Sequence, residues 1–185
     1  IKAHDSPVYT ISYYVQWQLM KAMASKGYKV TISGTGADEL FTGYYDHHNL
    51  YLYEVFKDKK LYKESLNSWN KYQSKIVRNP YLKNPELFIK DKEFRDHLFL
   101  NNELFSSWLK KRWSEKFSEI NHVPNLLRNR MLNEMFAESV PVILHEDDLN
   151  AMSFSMENRS PFLDRSLFDV AYSIPTPHLI KNGFE

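Results

Sequence analysis

The sequence predicts an α/β fold that is predominantly α-helical and has one clear strand. A helix-forming pattern over residues 8–26 ends at Gly27, and a β-branched strand over residues 28–33 follows it. A glycine turn at residues 33–37 leads into a second, helix-compatible apolar segment. Helix, strand, glycine turn and helix in this order form half of a parallel α/β layer. We expect the remaining strands of the sheet to come from residues outside this chain.

The turn after the strand reads Ser-Gly-Thr-Gly-Ala and fits two interpretations. Its glycines permit positive φ and let a ligand approach the main chain, and the start of the next helix favours a bound anion. Asp38 can cap that helix or hold a hard cation such as Mg²⁺. The pattern alone leaves a plain turn and an anion site equally open, because S-G-x-G is short and matches no standard phosphate loop.

Composition limits the class of protein. The 185 residues include 24 Lys plus Arg, 23 Asp plus Glu and no Cys. The balanced charge gives no reason to expect nucleic-acid binding, and the lack of cysteine excludes disulfides and thiolate metal sites. The sequence has no apolar run of membrane-spanning length and no signal peptide at its start. We expect a cytoplasmic domain that binds neither nucleic acid nor a membrane, and, because neither end resembles a natural terminus, a fragment of a longer protein.

Residues 54–123 are rich in lysine and aromatic side chains and contain no catalytic motif. Basic and aromatic residues together can bind single-stranded nucleic acid, but interspersed acidic residues favour a solvated helical face. The adjacent His47 and His48 diverge by about 100° on a helix, which favours core or surface positions over a shared metal. We interpret residues 54–123 as a variable helical insert.

The last third of the chain carries a second cluster of polar residues. Residues 128–145 predict a helix with Pro141 as a kink or a restart. The acidic run at residues 146–148 fits a metal site or a helix cap with solvated charges equally well. Residues 157–161 are expected to be extended, and Arg159 there can either clamp a carboxylate or pair with a neighbour.

Two long motifs resemble the asparagine synthetase family. Residues 33–44, Ser-Gly-Thr-Gly-Ala-Asp-Glu-Leu-Phe-Thr-Gly-Tyr, are similar to its S-G-x-G-[AGS]-D-E-L-[FL]-x-G-Y segment. Residues 147–164 resemble its E-D-R-N-S-M-A-x-S-x-E-x-R-x-P-F-L-D signature, with Leu149 in place of the usual Arg. The resemblance is dense over residues 4–56 and 126–183 and thin between them.

This resemblance implies that residues 1–185 are part of a single asparagine-synthase domain with an adenine-nucleotide alpha-hydrolase-like (PP-loop) synthetase fold. Such a domain adenylates a carboxylate with ATP and joins it to an amine. The resemblance thus implies a nucleotide-binding ligase of asparagine and amino-acid biosynthesis, with ATP and Mg²⁺ as cofactors, aspartate as carboxylate and ammonia or glutamine as amine source. The glutaminase domain that makes such proteins glutamine amidotransferases is not in this sequence.

The resemblance also assigns site residues. Ser33, Gly34 and Gly36 would contact the nucleotide, Asp38 would hold Mg²⁺, and Thr35 would face the reacting carboxylate as the catalytic position. Position 35 is Glu in asparagine synthetases and Tyr in a β-lactam-forming relative. A threonine hydroxyl cannot act as a base near neutral pH. Thr35 therefore keeps open an amidotransferase or cyclase that acts on another carboxylate.

Three further expectations follow from what the sequence lacks or exposes. The family's first phosphate loop, S-G-G-x-D-S, and its downstream lysine are not found, so the isolated chain should be inactive. A non-catalytic helical interaction module is the alternative from another class, although the retained glycines and Asp38 argue against it. The strand edges at Val30 and Ile32 would be exposed, which would allow a second copy to pair as a homodimer.

Overall fold

The computed structural model describes residues 4, 7–8, 10–98, 107–111 and 118–184. The chain forms two compact units. The first unit comprises Ile1–Phe41 and Leu132–Ile174, and the second comprises Thr42–Met131 and Pro175–Glu185. Among the described residues, no helix combines the length and the apolar character needed to cross a membrane.

Helices dominate the described residues, as predicted. In chain order the elements are α1 Ile11–Ser25, β1 Val30–Ile32, α2 Ala37–Phe41, α3 Tyr45–Val55, α4 Lys59–Lys71, α5 Leu87–Lys90, α6 Leu126–Phe136, α7 Ser139–Met152, β2 Glu157–Arg159 and α8 Arg165–Ser173. Single turns of 3-10 helix occur at Gln73–Lys75, Asp96–Leu98, Pro161–Leu163 and Thr176–His178.

β1 and β2 form a two-stranded parallel sheet in the first unit. Ile32 lies opposite Arg159, and the amide of Ser33 extends the ladder by donating to the carbonyl of Arg159 at 2.8 Å. The prediction of one clear strand with all its partners outside the chain is therefore wrong, because residues 157–159 supply a partner strand. The sequence predicts the extended conformation of residues 157–159 but carries no local signal for their pairing with a strand far away in the chain.

The helices near the glycine turn differ in extent from the prediction. α1 begins at Ile11 rather than near residue 8, because Thr10 before it is extended, with φ −141° and ψ 159°. It ends at Ser25, two residues before the predicted stop at Gly27, which has φ +85°. The apolar segment after the turn forms two helices instead of one, because Thr42 has φ +66° and interrupts the helical backbone after Phe41.

The predicted helix over residues 128–145 is also two helices. The amides of residues 137 and 138 both donate to the carbonyl of Asn133, at 2.8 and 2.9 Å, and this turn ends α6. Helix α7 then restarts with Pro141 in its first turn, where a missing amide proton costs nothing. α7 continues through the acidic run at residues 146–148, so the alternative that this run caps a helix is wrong.

The core of the first unit consists of two apolar clusters. One cluster joins α2 to α8 and contains Leu40, Met135, Val140 and Ala171, with Phe41, Leu144, Phe162, Leu163, Leu167 and Phe168 packed against them. The other joins α1 to the end of α7 and contains Met20, Ala151 and Met156, with Met23, Ala24 and Phe154 around them. The first cluster holds α2, and with it the glycine turn, against the second sequence motif.

The second unit is organised around a buried amide on α3. Asn49 Nδ2 donates to the carbonyls of Leu82 and Asn84 at 3.1 and 2.9 Å, and the indole nitrogen of Trp69 donates to Asn49 Oδ1 at 2.9 Å. One side chain thus fixes α4 and the loop at residues 79–84 to α3. The adjacent His47 and His48 are also buried on this helix.

Replacing Asn49 with Ala would leave two carbonyls without their shared donor and the Trp69 indole without its acceptor. Because an unsatisfied buried polar group costs about 1–3 kcal/mol, Asn49→Ala should lower the free energy of unfolding by at least about 2 kcal/mol in urea titrations. Asn70→Ala, at an exposed position of α4, is the control and should change it by less than about 0.5 kcal/mol. Equal losses in both variants would contradict this role of Asn49.

Candidate active site

The candidate site lies at the carboxyl ends of the two parallel strands. Ser33 follows β1 and Ser160 follows β2, and the strand register places their Oγ atoms 2.9 Å apart. The side-chain nitrogen Nδ2 of Asn158 also donates to Ser33 Oγ at 3.4 Å, and Thr31 Oγ1 donates to Asn158 Oδ1 at 2.9 Å. Polar side chains from both strands thus converge on Ser33, at the end of the sheet where open α/β folds bind ligands.

The hydroxyls at this place form a directed chain. Thr35 Oγ1 donates to Asp147 Oδ2 at 3.3 Å, and it lies 3.1 Å from Ser33 Oγ. Because a hydroxyl carries a single proton, Thr35 must accept from Ser33, and Ser33 must in turn accept from Ser160. We call Ser160, Ser33, Thr35 and Asp147 the hydroxyl chain. All the donated hydrogen bonds run toward the carboxylate.

Asp147 is the only carboxylate in the hydroxyl chain. It lies on α7, is 5% exposed, and stands 112 residues from Thr35 in the sequence. Burial raises the pKa of the Asp147 carboxyl above its usual range, although the hydrogen bond from Thr35 acts in the opposite direction. The acidic run gave no signal that one of its members faces the turn. Ser160 and Asn158 were missed because they reach Ser33 only through the pairing of the two strands, which the sequence did not predict.

The two glycines of the turn have different surroundings. A Cβ added to Gly34 would meet no atom within 4 Å among the described residues, so the space above this residue is open to a ligand. Gly36 has φ +96°, and a Cβ there would lie 2.5 Å from Leu163 Cδ2. The positive φ therefore favours glycine at position 36 independently of any ligand, and a Cβ there would also require the Leu163 side chain to shift.

Asp38 presents an exposed carboxylate beside the turn. It lies in the first turn of α2, which begins at Ala37, so the alternative that Asp38 is the N-cap is wrong. Its side chain makes no hydrogen bond or ion pair with any residue in the described part of the chain. Helix α2 has only five residues, which leaves little dipole to attract an anion. The exposed carboxylate fits a hard cation such as Mg²⁺ better than the helix start fits a phosphate.

The residues at the end of the second motif pack against the helix that follows the glycine turn. The rings of Phe41 and Phe162 meet edge to face with centroids 6.3 Å apart. Asp164 Oδ1 accepts the amide of Leu167 at 3.1 Å and caps α8. The P-F-L-D residues thus position the first motif through packing and capping.

Arg159 on β2 pairs with a neighbour, one of the two alternatives for this residue. Its guanidinium contacts both carboxylate oxygens of Glu157, with the Nε–Oε1 distance at 2.8 Å. This hydrogen bond and the positive charge of Arg159 lower the pKa of Glu157. Both side chains are exposed, so the pair stabilises the fold little.

A glycine turn with converging hydroxyls at the carboxyl ends of parallel strands is the arrangement of an α/β protein at the place where open α/β sheets bind ligands. The sequence model described as asparagine synthase matches residues 1–185. The chain belongs to the asparagine synthase family. Searches of curated proteins and of solved structures each gave no match. Membership implies a ligase that uses ATP, typically with Mg²⁺, for amidation.

The different surroundings of Gly34 and Gly36 predict different losses of stability when each is replaced with Ala. Gly36→Ala should lower the free energy of unfolding by at least about 2 kcal/mol, because it adds strain at positive φ and overpacks against Leu163. Gly34→Ala should change it by less than about 1 kcal/mol, because the added methyl group enters open space. Urea titrations of both variants measure the difference. A Gly34→Ala variant as unstable as Gly36→Ala would contradict the geometry.

The raised pKa of Asp147 predicts a pH-dependent effect of its substitution. A carboxyl whose pKa is raised on folding stabilises the fold while it is protonated, and this contribution is lost as pH rises through the raised value. The stability of Asp147→Asn relative to the parent should therefore increase between about pH 4 and about pH 7.

Asp148→Asn is the matched control, because Asp148 is exposed on the next position of the same helix. Urea titrations of the parent and both variants across this pH range give the comparison. A stability difference for Asp147→Asn that does not change with pH, or that Asp148→Asn reproduces, would refute the buried ionisable role of Asp147.

Proposed function

We propose that this chain carries part of a PP-loop synthetase site that forms an amide through an acyl-adenylate. The most specific reaction that fits is the synthesis of asparagine from aspartate, with the amine supplied by glutamine or ammonia. The observation that carries the proposal is the hydroxyl chain, which brings both family motifs together at the carboxyl ends of β1 and β2 and ends on a buried carboxylate.

The proposed nucleotide and metal contacts follow from the turn. Ser33 and Gly34 border the open space at its tip, and Gly36 fixes the backbone conformation that exposes this tip. Asp38 would hold Mg²⁺ with its exposed carboxylate. ATP would activate the carboxylate substrate and provide pyrophosphate as the leaving group. The metal would neutralise charge on that group.

Thr35 can take part in proton transfer although it is not itself a base. The attacking amine must lose a proton, and the Thr35 hydroxyl can accept that proton while its own proton passes to Asp147. A carboxyl with a raised pKa is a better proton acceptor than an ordinary aspartate. The pair Thr35 and Asp147 would thus supply the proton acceptor for the attacking amine.

A second candidate is an amidotransferase or cyclase that acts on a carboxylate other than aspartate. Thr35 supports it, because the side chain that faces the acceptor differs from that of asparagine synthetases. Family membership favours both ligase candidates over a non-catalytic interaction module. We also propose that residues 54–123 form a variable insert within one synthetase domain. A further proposal is that two copies of the protein pair as a homodimer.

Release of pyrophosphate by the product of the complete gene, with ATP, Mg²⁺, aspartate and ammonia or glutamine, tests the reaction. Asp38→Ala should reduce the rate at least about 10²-fold, because the leaving group would lose its bound metal. Glu64→Ala, which removes an exposed carboxylate on α4, should leave the rate unchanged. The 185-residue chain alone contains no S-G-G-x-D-S loop and should show no turnover.

The outcomes separate the candidates. Pyrophosphate release that requires aspartate and is lost in Asp38→Ala supports asparagine synthesis. Release that aspartate does not stimulate but another carboxylate does supports the second candidate. Full activity of Asp38→Ala, or turnover by the 185-residue chain alone, would refute the assigned site.

A further inference from the structure

The second unit contains a groove that plays no part in the proposed synthetase site. It has a volume of about 750 Å³ and is lined by Tyr45 and by residues 75–79 and 83. Its charged side chains are Lys75, Arg78 and Lys83, and we call it the cationic groove. Small-molecule sites in proteins have volumes of about 300–1,000 Å³, so the groove is large enough for a ligand of several rings.

The charge of the cationic groove is one-sided. Three cations and no carboxylate line it, although the whole sequence has a net charge of only +1. Lys75, Arg78 and Lys83 make no ion pair with any residue that the structure describes. Some other cations of the same unit do have a carboxylate partner, as Lys90 has in Glu86 at 3.1 Å and Arg95 in Glu119 at 2.7 Å. A cleft lined by charges of one sign focuses the electrostatic field and raises the local concentration of anions.

The backbone that carries the cations is held in place. Val77 and Leu82 are buried on either side of the loop, at 3% and 6% exposure. Asn79 Nδ2 donates to the carbonyl of His97 at 3.0 Å, and its Oδ1 accepts the amide of Tyr81 at 3.0 Å. Together with the bond from Asn49 to the carbonyl of Leu82, these contacts fix the loop before any ligand binds. Preorganisation of this kind reduces the entropy that binding must offset.

The groove also offers an apolar surface beside its charges. Tyr45 and Ile76 line it, and they are 42% and 53% exposed. An exposed tyrosine ring provides a flat face on which a sugar or base ring can pack, and its hydroxyl adds a hydrogen bond. Arg78 can bind a carboxylate or phosphate through two parallel hydrogen bonds, and the two lysines add positive charge.

We propose that the cationic groove binds a small molecule that carries two or more carboxylate or phosphate groups beside a sugar or base ring that packs on Tyr45. The groove lies wholly in the second unit and shares no residue with the hydroxyl chain. The proposal therefore does not rest on the synthetase activity and is tested by binding alone. Carboxylates on a sugar chain and phosphates on a nucleotide share this chemistry, and two probes distinguish these sources.

Isothermal titration of the protein with trigalacturonate and with uridine diphosphate at about 150 mM salt tests the groove, since screening at that salt suppresses diffuse attraction beyond about 8 Å. Lys75→Gln, Arg78→Gln and Lys83→Gln combined should weaken binding at least about tenfold, because charge-assisted contacts are lost. The control combines Lys57→Gln, Lys60→Gln and Lys63→Gln, which are exposed, lie outside the groove and change the net charge equally.

The proposal is supported if the groove variant no longer binds a probe that the parent protein and the control variant both bind. The probe that binds more tightly identifies the source of the anion. Circular dichroism and urea titration of both variants confirm that they are folded. Tyr45→Ala should weaken binding further if the ring packs on the ligand. Failure of both probes to bind the parent protein, equal weakening in the groove and control variants, or equal binding of neutral maltotriose would overturn the proposal.

Discussion

The parallel pairing of β1 with β2 fixes the position of the glycine turn relative to the second sequence motif. The amide of Glu157 donates to the carbonyl of Lys29, and the amide of Ser33 donates to the carbonyl of Arg159, so the ladder is closed at both ends. This register places Ser33 beside Ser160. Because side chains alternate between the faces of a strand, a slip of one residue would turn the hydroxyl of Ser160 away from Ser33. The hydroxyl chain thus depends on main-chain hydrogen bonds that involve no site side chain.

The packing of Gly36 against Leu163 adds a second constraint between the same two motifs. The hydrogen-bond ladder fixes the strands along their length, and this close contact fixes the distance between the turn and the 3-10 helix at Pro161–Leu163. Gly34 and Gly36, which look like parts of one ligand-binding loop in the sequence, therefore have two different roles. The space above Gly34 is open to a ligand, whereas the positive φ at position 36 favours glycine independently of any ligand.

The local features of the fold could be predicted from the sequence, and the features that depend on distant contacts could not. The first strand, the end of α1 near Gly27 and the extended conformation of residues 157–159 follow from residue type and nearby spacing, although Pro161 begins a 3-10 helix instead of continuing the extended segment. The interruption after Phe41 depends on the backbone conformation of Thr42, a residue type that rarely adopts positive φ. The position of Asp147 beside Thr35 arises from the packing of α7, and no spacing within the acidic run indicates which carboxylate is turned inward.

The separation of the two strands in the sequence has a consequence for the order in which the protein folds during synthesis. Ser33 and Ser160 are 127 residues apart. At a translation rate of about 5–20 residues per second, β1 leaves the ribosome roughly 6–25 s before its partner is complete. During this interval Val30 and Ile32 lack the neighbour that closes one edge of their strand, while the second unit, most of which lies between the two strands, is already synthesised. The hydroxyl chain therefore forms only after most of the second unit has been synthesised.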